Sequence, residues 1–488
     1  MNRDFKILLL NLPSPPDQRL WRDTAGGFGT AISRSPKYKA PEETPLHPFL
    51  PYACSLLLEA NYEFKILDYQ RLKMNKFQII ADIKKENPDV IFSILSLPSL
   101  KHDISLLNSI KKLMHNVIIV GVGTVCRVIP DEILQSSKID ILLRSSYPYI
   151  FNMIKLIEFI TQPRKNIENI SFRKNEKIIH TTNASEPGIE SLLTPCYEYL
   201  QLNGYEKLTN TDGERCFYVP ILESKGCPYN CIYCPYPLGF GEKIMFRSPK
   251  TIVDEMEHLH SIHGIKGFLL RGQTFAYNRR RAVKICEEII QRKLDALWFC
   301  ESRVDEVSKE LLIKMKRSGC VRIHYGVETG DPELLKIAKP GVKLETTERA
   351  FRMTKEAGIM TQAHIILGWP NETCQTLERT RKLVLKLNPD EINLNFLTPY
   401  PGTSLYEIAK RNDLLLTTDW AQYTSHTVIM KTKNLTSSDL YKSREKIIRD
   451  FSKQKLKNLI LDTHMYKTPY YLLTLTKKLV NRIIFPQA

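Results

Sequence analysis

Three cysteines in the spacing Cys-x3-Cys-x2-Cys lie in one stretch of the chain, Ser224-Lys225-Gly226-Cys227-Pro228-Tyr229-Asn230-Cys231-Ile232-Tyr233-Cys234-Pro235. Three thiolates this close in sequence can hold three irons of a 4Fe-4S cluster and leave the fourth iron open to a small chelating molecule. A structural zinc site usually has four protein ligands, and no second Cys or His pair follows Cys234 at short spacing. A disulfide is disfavoured because 11 cysteines are spread irregularly over 488 residues, which is typical of a reduced cytosolic protein. The pattern therefore predicts an iron-sulfur site.

The residues around this motif alternate between strand-like and helix-like runs. A buried strand, Phe217–Leu222, precedes the cysteines, so the cluster is expected past the carboxyl end of a strand, where α/β folds place their chemistry. Six such strand and helix repeats run over residues 216–412. They predict an open, partial (β/α)6 barrel of the TIM type rather than a closed eight-stranded one.

The motif, its Gly-Cys-Pro-Tyr-Asn-Cys-Ile-Tyr-Cys setting and the strands after it resemble the radical S-adenosylmethionine (SAM) superfamily. In that family the open iron of the 4Fe-4S cluster binds the amino and carboxylate groups of SAM, and the reduced cluster cleaves SAM to a 5′-deoxyadenosyl radical. The resemblance implies that Cys227, Cys231 and Cys234 are the cluster ligands. It also implies that Tyr233, just before the last cysteine, lies near the adenine.

The same resemblance gives roles to residues at the ends of later strands. Gly272 and Gln273 are expected to meet the SAM amino group, although the family more often has an acidic or glycine-rich sequence there. Glu328 is expected to accept hydrogen bonds from the ribose hydroxyls, and Arg303 to pair with the SAM carboxylate. A salt bridge on surface loops is the other interpretation of these two residues. Pro370 is expected beside the adenosine, in the place of the family's Gly-x-Pro-Gly-Glu-Thr turn.

Residues 1–150 alternate between strands and helices at a pitch typical of a parallel sheet covered on both faces. The predicted strands are Phe5–Asn11, Phe64–Asp68, Val90–Ile94, Val117–Gly121 and Ile139–Leu142, and the predicted helices are Pro48–Glu59, Phe77–Glu86, Leu107–His115 and Pro130–Gln135. The sequence therefore predicts an N-terminal Rossmann-like domain with a doubly wound parallel sheet.

The order of these elements resembles the cobalamin-binding domain that precedes the core of many radical SAM enzymes. In those enzymes the loops at the strand ends face the corrin ring, which implies cobalamin contacts for Ser93, Ser96, Gly121, Gly123 and Thr124. A domain that keeps this fold without the cofactor is the alternative, because small residues also suit tight strand-to-helix turns.

The remaining segments carry no ligand pattern. Residues 151–215 are expected to form a connector with a short hairpin, and residues 413–488 a helical C-terminal region. Within that region, Tyr470–Phe485 suits either an interfacial amphipathic helix or a helix packed on the barrel. No run reaches the ~18 to 20 apolar residues of a membrane span. The sequence predicts a cytoplasmic protein, with peripheral membrane contact through the tail as an open alternative.

Composition allows several packed domains and leaves the partner open. The 488 residues are too many for one core, and 43% hydrophobic residues let each domain bury its own. The net charge of +17 would suit nucleic acid, a phosphorylated substrate or an acidic membrane surface, and it does not select among them.

Together these features predict a cobalamin-dependent radical SAM enzyme that methylates, cyclises or rearranges an unactivated carbon of a small-molecule or lipid-like substrate. The expected cofactors are a 4Fe-4S cluster, SAM and cobalamin. The expected partner is an electron donor such as ferredoxin or flavodoxin, and no nucleic acid is expected. Two alternatives stay open. One is a tRNA methylthiotransferase-like enzyme, which would need a second cluster and an RNA-binding β-barrel, and the other is a non-catalytic cobalamin or iron-sulfur sensor.

Overall fold

A computed structural model describes residues 5–33, 44–72, 74–162, 166–202, 204–209, 213 and 215–461. The strands of the first half are β1 (Lys6–Asn11), β2 (Gln18–Trp21), β3 (Thr30–Ser33), β4 (Glu63–Asp68), β5 (Val90–Ile94), β6 (Ile118–Val122), β7 (Ile141–Leu143), β8 (Ile170–Lys174) and β9 (Lys177–His180). The helices of this half are α1 (Phe49–Glu59), α2 (Lys76–Glu86), α3 (Leu100–Leu113), α4 (Thr124–Val128), α5 (Pro130–Ser136) and α6 (Met153–Thr161).

The first sheet has the strand order β4-β1-β5-β6-β7-β8-β9, and its first five strands are parallel. Successive residues of a strand point to opposite faces, and in β1 both faces are buried. Leu9 lies in one hydrophobic core, whereas Leu8 and Leu10 lie in the other. This double burial explains the continuous apolar run of the strand, and the predicted Rossmann-like sheet is confirmed.

The structure differs from the sequence prediction at three places in this half. Helix α3 begins at Leu100 rather than Leu107, because Asp103 in its polar first turn is buried and pairs with Arg22. The hairpin predicted in the connector is present as β8 and β9, but it extends the first sheet through an antiparallel pairing of β8 with β7. The antiparallel hairpin of β2 and β3 was not predicted.

The second half begins with β10 (Lys207–Thr209), β11 (Arg215–Leu222), β12 (Ser224–Lys225), β13 (Met245–Phe246), β14 (Gly267–Arg271), β15 (Leu297–Ser302), β16 (Cys320–Glu328), β17 (Met360–Leu367) and β18 (Glu391–Phe396). Its helices are α7 (Tyr236–Phe240), α8 (Pro249–His263), α9 (Arg279–Gln291), α10 (Lys309–Arg317), α11 (Pro332–Ala338), α12 (Leu344–Glu356), α13 (Cys374–Leu387), α14 (Ser404–Arg411) and α15 (Ser437–Leu461).

Six parallel strands follow one another in chain order in the second sheet, β11-β14-β15-β16-β17-β18, with β10 antiparallel at the β11 edge. Within the part of the chain that the structure describes, β18 pairs only with β17, so the barrel is open. The predicted partial (β/α)6 barrel is confirmed.

In the described part of the C-terminal region, the α-helix α15 begins at Ser437, and a single 3-10 turn at Trp420–Gln422 precedes it. Residues 413–436 are mostly irregular, because Tyr423 and Ile429 are used to complete a core of the first half. The predicted amphipathic segment Tyr470–Phe485 lies outside the described residues. None of the helices between residues 5 and 461 that the structure describes is both long and apolar enough to cross a membrane.

The two halves meet at the carboxyl ends of their sheets. The backbone N–H of Tyr147, just past β7, donates to the carbonyl of Gly239 in α7 at 2.8 Å. Arg271 at the end of β14 pairs with Asp23, which follows β2, at 3.6 Å. The loops at the two strand ends, where α/β proteins bind ligands, therefore enclose a common region.

Candidate active site

The loop that carries the three cysteines is closed at its base by the short pairing of β12 with β13. Inside it, the N–H of Cys227 donates to the carbonyl of Gly241 at 3.1 Å, and the N–H of Cys234 donates to the carbonyl of Cys231 at 3.0 Å. Gly226 has a φ of +88°, and a side chain there would overlap the backbone of Lys243, just before β13. The loop conformation thus requires glycine directly before the first cysteine.

The three thiols lie together and are not joined in disulfides. Burial raises the pKa of Cys227, of Cys231 and of Cys234, and the charges of the two other cysteines raise the pKa of Cys234 further. The positive charges of Lys339 and Arg303 oppose this effect and lower the pKa of Cys231. Buried thiolates crowded in this way need positive charge at their sulfur atoms, which the irons of a cluster provide. The residues present therefore fit a 4Fe-4S cluster.

Arg303 lies beside the cysteine loop rather than on the surface. Its guanidinium stacks 3.7 Å from the ring centroid of Tyr229, which stands between the first two cysteines. Asp305 fixes the guanidinium through two hydrogen bonds of 3.0 and 2.9 Å. The Tyr229 hydroxyl donates to Glu306 at 3.1 Å. The contact of Arg303 with the SAM carboxylate stays a prediction, and the structure adds Tyr229, Asp305 and Glu306 as residues that hold it.

Glu328 is buried at the end of β16 and forms an ion pair of 2.9 Å with Lys339, which follows α11. Lys339 also donates to the carbonyl of Gly326 at 2.8 Å. A side chain at Gly326 would overlap the Lys339 ammonium and the Glu328 carboxylate. The predicted ribose acceptor is thus held by a lysine that the sequence did not single out.

Tyr233 lies between the Glu328 carboxylate and the turn that follows β17. Burial, and after it the negative charge of Glu328, raises the pKa of the Tyr233 hydroxyl. The Tyr233 ring meets Trp369 edge to face, with a centroid distance of 5.4 Å. Pro370 follows directly in the same turn. Three of the residues predicted near adenosine therefore share one corner of the barrel mouth, beside the last cysteine.

Gly272 and Gln273 lie at the end of β14. A side chain at Gly272 would overlap the carboxylate of Glu223, which forms a buried ion pair of 2.6 Å with Arg281. Gln273 donates to Glu301 at 2.6 Å. Gly272 therefore allows the close approach of the strand that leads into the cysteine loop, and the contact of either residue with the SAM amino group stays a prediction.

The turn after β17 is held by the carboxylate of Glu372, which belongs to the turn itself. Glu372 accepts hydrogen bonds from the N–H groups of Gly368 and Trp369, and its other oxygen is buried without a partner. Burial raises the pKa of Glu372 to about 7, against the opposing effect of the two N–H groups. This turn places Trp369 and Pro370 at the barrel mouth.

Stability is expected to depend on pH through Glu372. Its usual pKa of 4.5 rises to about 7 in the fold, so the folded state holds a proton that the unfolded state loses. Stability is therefore lost as the pH rises from about 4.5 to about 7, by about 3 kcal/mol in total. Glu372→Gln keeps the group neutral. The free energy of unfolding of the variant in urea, relative to the native chain, is expected to rise by most of that amount, about 2.5 kcal/mol, between pH 5 and pH 8.

A matched control is Glu407→Gln, which changes an exposed carboxylate on α14. Its urea unfolding curves are expected to shift with pH in parallel with those of the native chain. If the unfolding free energies of Glu372→Gln and the native chain also changed with pH in parallel, Glu372 would not be the group that makes stability depend on pH.

The positions predicted to contact cobalamin lie at the carboxyl end of the first sheet, and all are buried. The Ser96 hydroxyl accepts a hydrogen bond from Arg22 at 3.3 Å, and the Thr124 hydroxyl donates to Gly26 at 2.7 Å. Gly121 and Gly123 pack against Leu95. The Ser93 hydroxyl alone among the five is buried without a hydrogen-bond partner.

The segment between β2 and β3 covers this end of the first sheet. Its Arg22 makes two hydrogen bonds of 2.9 and 3.0 Å to Asp103, and both side chains are fully buried. The carbonyl of Phe28 accepts from the N–H of Leu97 at 2.8 Å. Four of the five positions predicted to contact cobalamin are therefore engaged by the chain itself, and Ser93 is the one of the five whose polar side-chain atom has no partner.

The interior face of the barrel carries polar side chains on β16 to β18, beside a small apolar cluster that includes Leu269 and Phe299. On β16, Tyr325 faces the helices, since its hydroxyl lies 2.9 Å from that of Thr354 in α12. Its neighbour His324 therefore faces the interior, 5.6 Å between ring centroids from His364 of β17. His364 pairs in register with Asn393 of β18. Burial lowers the pKa of both histidines, so the interior offers neutral imidazoles that can donate or accept hydrogen bonds.

The fold and the three-thiol loop define an α/β protein with an iron-sulfur site at the mouth of an open barrel. The sequence profile of the radical SAM superfamily matches residues 222–384. An uncharacterized methyltransferase of Pyrococcus horikoshii is 30% identical over 92% of this chain and 93% of its own length. The chain belongs to the radical SAM superfamily. It is therefore an enzyme, with a 4Fe-4S cluster and SAM as cofactors, and these predictions are confirmed.

Other relatives and solved structures are similar over most of the chain. The anaerobic magnesium-protoporphyrin IX monomethyl ester cyclase of Cereibacter sphaeroides is 27% identical over 80% of this chain, which spans 64% of that protein. The radical SAM methyltransferase TsrM of Kitasatospora setae, solved with cobalamin and a 4Fe-4S cluster, has a TM-score of 0.63 at 19% identity, over 86% of this chain and 80% of its own. The cobalamin-dependent enzyme OxsB has a TM-score of 0.69 at 14% identity, over 92% of this chain and 67% of its own. The fold of this chain is thus that of cobalamin-dependent radical SAM enzymes.

Proposed function

We propose that the chain is a cobalamin-dependent radical SAM C-methyltransferase acting on an unactivated carbon of a small molecule. The observation that carries the proposal is the similarity to a methyltransferase over 92% of the chain, which includes both halves. By contrast, a putative methylthiotransferase of Methanocaldococcus jannaschii matches only 39% of the chain. The comparison therefore favours methyl transfer over methylthiolation.

In this proposal the cluster and SAM lie at the barrel mouth and cobalamin at the facing end of the first sheet. The predicted domain limits at residues 215 and 412 are kept, and the first domain is extended from residue 150 to residue 180 so that it includes β8 and β9. The bound groups supply the electron, radical and methyl-transfer chemistry. Cys227, Cys231 and Cys234 hold the cluster, and Ser93 offers its hydroxyl on the cobalamin side.

The protein's own residues then position SAM and exclude water. Tyr233 and Trp369 form an aromatic wall beside the last cysteine, and the pairing of Lys339 with Glu328 fixes a carboxylate next to that wall. Burial of these groups lengthens the range of their electrostatic interactions. Arg303, held by Asp305, keeps positive charge near the first two cysteines.

The barrel interior favours a substrate with hydrogen-bonding groups over a purely apolar one. His324 and His364 are neutral and face inward beside Asn393. The His324 Nε2 is buried without a hydrogen-bond partner, and an unpaired buried polar atom is costly unless a ligand or water completes it. Of the two substrate classes that the sequence left open, we therefore place the polar small molecule first.

Ring closure is the second candidate, because the cyclase of C. sphaeroides is 27% identical over 80% of this chain. The two reactions differ in what becomes of SAM. Methyl transfer from SAM yields S-adenosylhomocysteine, whereas a reaction that uses SAM only as a radical source yields 5′-deoxyadenosine and methionine.

The test is anaerobic reconstitution of the full chain with iron, sulfide and hydroxocobalamin, followed by metal counting and product analysis. We expect about four irons and one cobalt per chain. With dithionite as the reductant and SAM present, we expect S-adenosylhomocysteine in addition to 5′-deoxyadenosine. Ferredoxin or flavodoxin should replace dithionite if either is the donor.

Two outcomes would overturn parts of the proposal. Four irons without cobalt would remove cobalamin and leave the first domain as a scaffold. Cobalt bound without any S-adenosylhomocysteine would favour the cyclase-type reaction.

A further inference from the structure

A group of side chains away from the barrel mouth has the composition of a metal site. Glu198 lies in the connector between the two sheets, and His258 and His263 lie on α8. One ligand atom from each of the three lies within 4.8 Å of the others. Oε1 of Glu198 is 3.8 Å from Nε2 of His258 and 3.6 Å from Nε2 of His263.

These separations are too long for hydrogen bonds and close to those around one metal ion. Ligand atoms bound at ~2.1 Å are ~3.4 Å apart in a tetrahedron and ~3.0 Å apart at the right angles of an octahedron. Nε2 of His263 is buried and has no hydrogen-bond partner. The imidazole nitrogens therefore converge on a carboxylate oxygen with room for an ion between them.

The second oxygen of the carboxylate is already engaged. The thiol of Cys196 donates to Oε2 of Glu198 at 2.9 Å. This contact orients the carboxylate so that Oε1 faces the two histidines. A partner of this kind on a ligating carboxylate is usual at metal sites.

We propose that Glu198, His258 and His263 bind a zinc ion, with solvent as the fourth ligand. Two imidazoles and one carboxylate suit zinc, and the separations are nearer to tetrahedral than to octahedral geometry. The side chains of Glu198 and His258 are 48% and 45% exposed, so water reaches the open position.

The ion would connect the segment around Glu198, which is bonded to α1, with helix α8 of the barrel. The connector residue Cys196 donates its N–H to the carbonyl of Pro51 in α1 at 3.1 Å, and Tyr197 is fully buried beside it. Zinc would fix the next residue, Glu198, to α8 of the barrel. The site thus links the first domain to the outer helices of the second and stabilises their arrangement.

The test separates this site from the cysteine loop, which can also take up zinc. Full-length protein in which Cys227, Cys231 and Cys234 are all alanine is stripped with chelator, titrated with Zn²⁺ and analysed by metal counting. We expect about one zinc and no iron per chain. Adding His258→Ala or His263→Ala is expected to weaken zinc binding by more than ~100-fold, beyond the ~10- to 100-fold cost of losing an outer partner.

The matched control is His260→Asn on the same helix, whose ring contacts the carbonyl of Ile265 instead. This variant is expected to bind zinc as the parent does. Zinc should raise the melting temperature of the parent and of this control, and should leave the His258→Ala melting temperature unchanged. Equal zinc affinity with and without His258 and His263 would overturn the proposal, and iron in place of zinc would overturn the choice of metal. The same zinc count on cluster-loaded native chain confirms that the cysteine changes did not create the site.

Discussion

Cys231→Ala is expected to leave the purified protein with almost no bound iron, against ~4 irons per chain in the native protein. It should also reduce SAM cleavage to the background of the reductant alone. Three thiols are the protein's share of the ligands of such a cluster, and Cys231 is the middle one of the loop. With it gone, one further iron lacks a protein ligand. The measurement is iron content and 5′-deoxyadenosine after anaerobic reconstitution.

The control is Cys374→Ala, which removes an exposed thiol at the start of α13. Native iron content and native SAM cleavage are expected for it. A stable cluster in Cys231→Ala would mean that another group supplies the third ligand and that the motif has been misinterpreted. Since the loop is closed by β12 and β13 and not by Cys231 itself, circular dichroism of the variant should match that of the native chain.

The parallel strands could be predicted because their residues are apolar on both faces. Leu8, Leu9 and Leu10 serve cores on opposite sides of one sheet, and such runs are recognisable without knowledge of the partners. The cysteine loop could be predicted for a different reason. Its ligand spacing is local in sequence and does not depend on how the rest of the chain folds.

The residues that hold the site could not be predicted in the same way. Lys339 reaches Glu328 only because α11 turns back over the end of β16, and Gly326 leaves space for the pair. Asp23 meets Arg271 across 248 positions of sequence. Pairings that depend on the meeting of two separate sheets leave no periodicity in the sequence.

The hairpin of β2 and β3 shows the same limit. Its strands are short and half-buried, and no alternation of apolar residues marks them. The hairpin is fixed instead by Arg22, whose guanidinium reaches Asp103 and Ser96 in the loop after β5. One buried charge pair therefore decides both the position of this segment and the polar first turn of α3, where the predicted helix began too late.

Asp103→Ala is accordingly expected to lower the free energy of unfolding by ~3 to 5 kcal/mol, the usual cost of removing one partner of a buried ion pair. Arg22 cannot lose its proton, and both side chains are fully buried, so the variant would keep an uncompensated charge. Although burial tends to raise the pKa of Asp103, Arg22 and nearby donors hold it below its usual value. Urea unfolding at neutral pH measures the loss.

Lys101→Ala gives a comparison on the same helix, because Lys101 pairs with Asp419 on the surface and is 73% exposed. Its loss should be less than ~1 kcal/mol. A similarly small loss for Asp103→Ala would show that the buried pair does not fix the segment.

If the pair does fix the segment, Asp103→Ala should change the iron and cobalt contents of the reconstituted protein differently. Iron stays near its native value because the cysteine loop is held by the second sheet, whereas cobalt bound at the carboxyl end of the first sheet should fall.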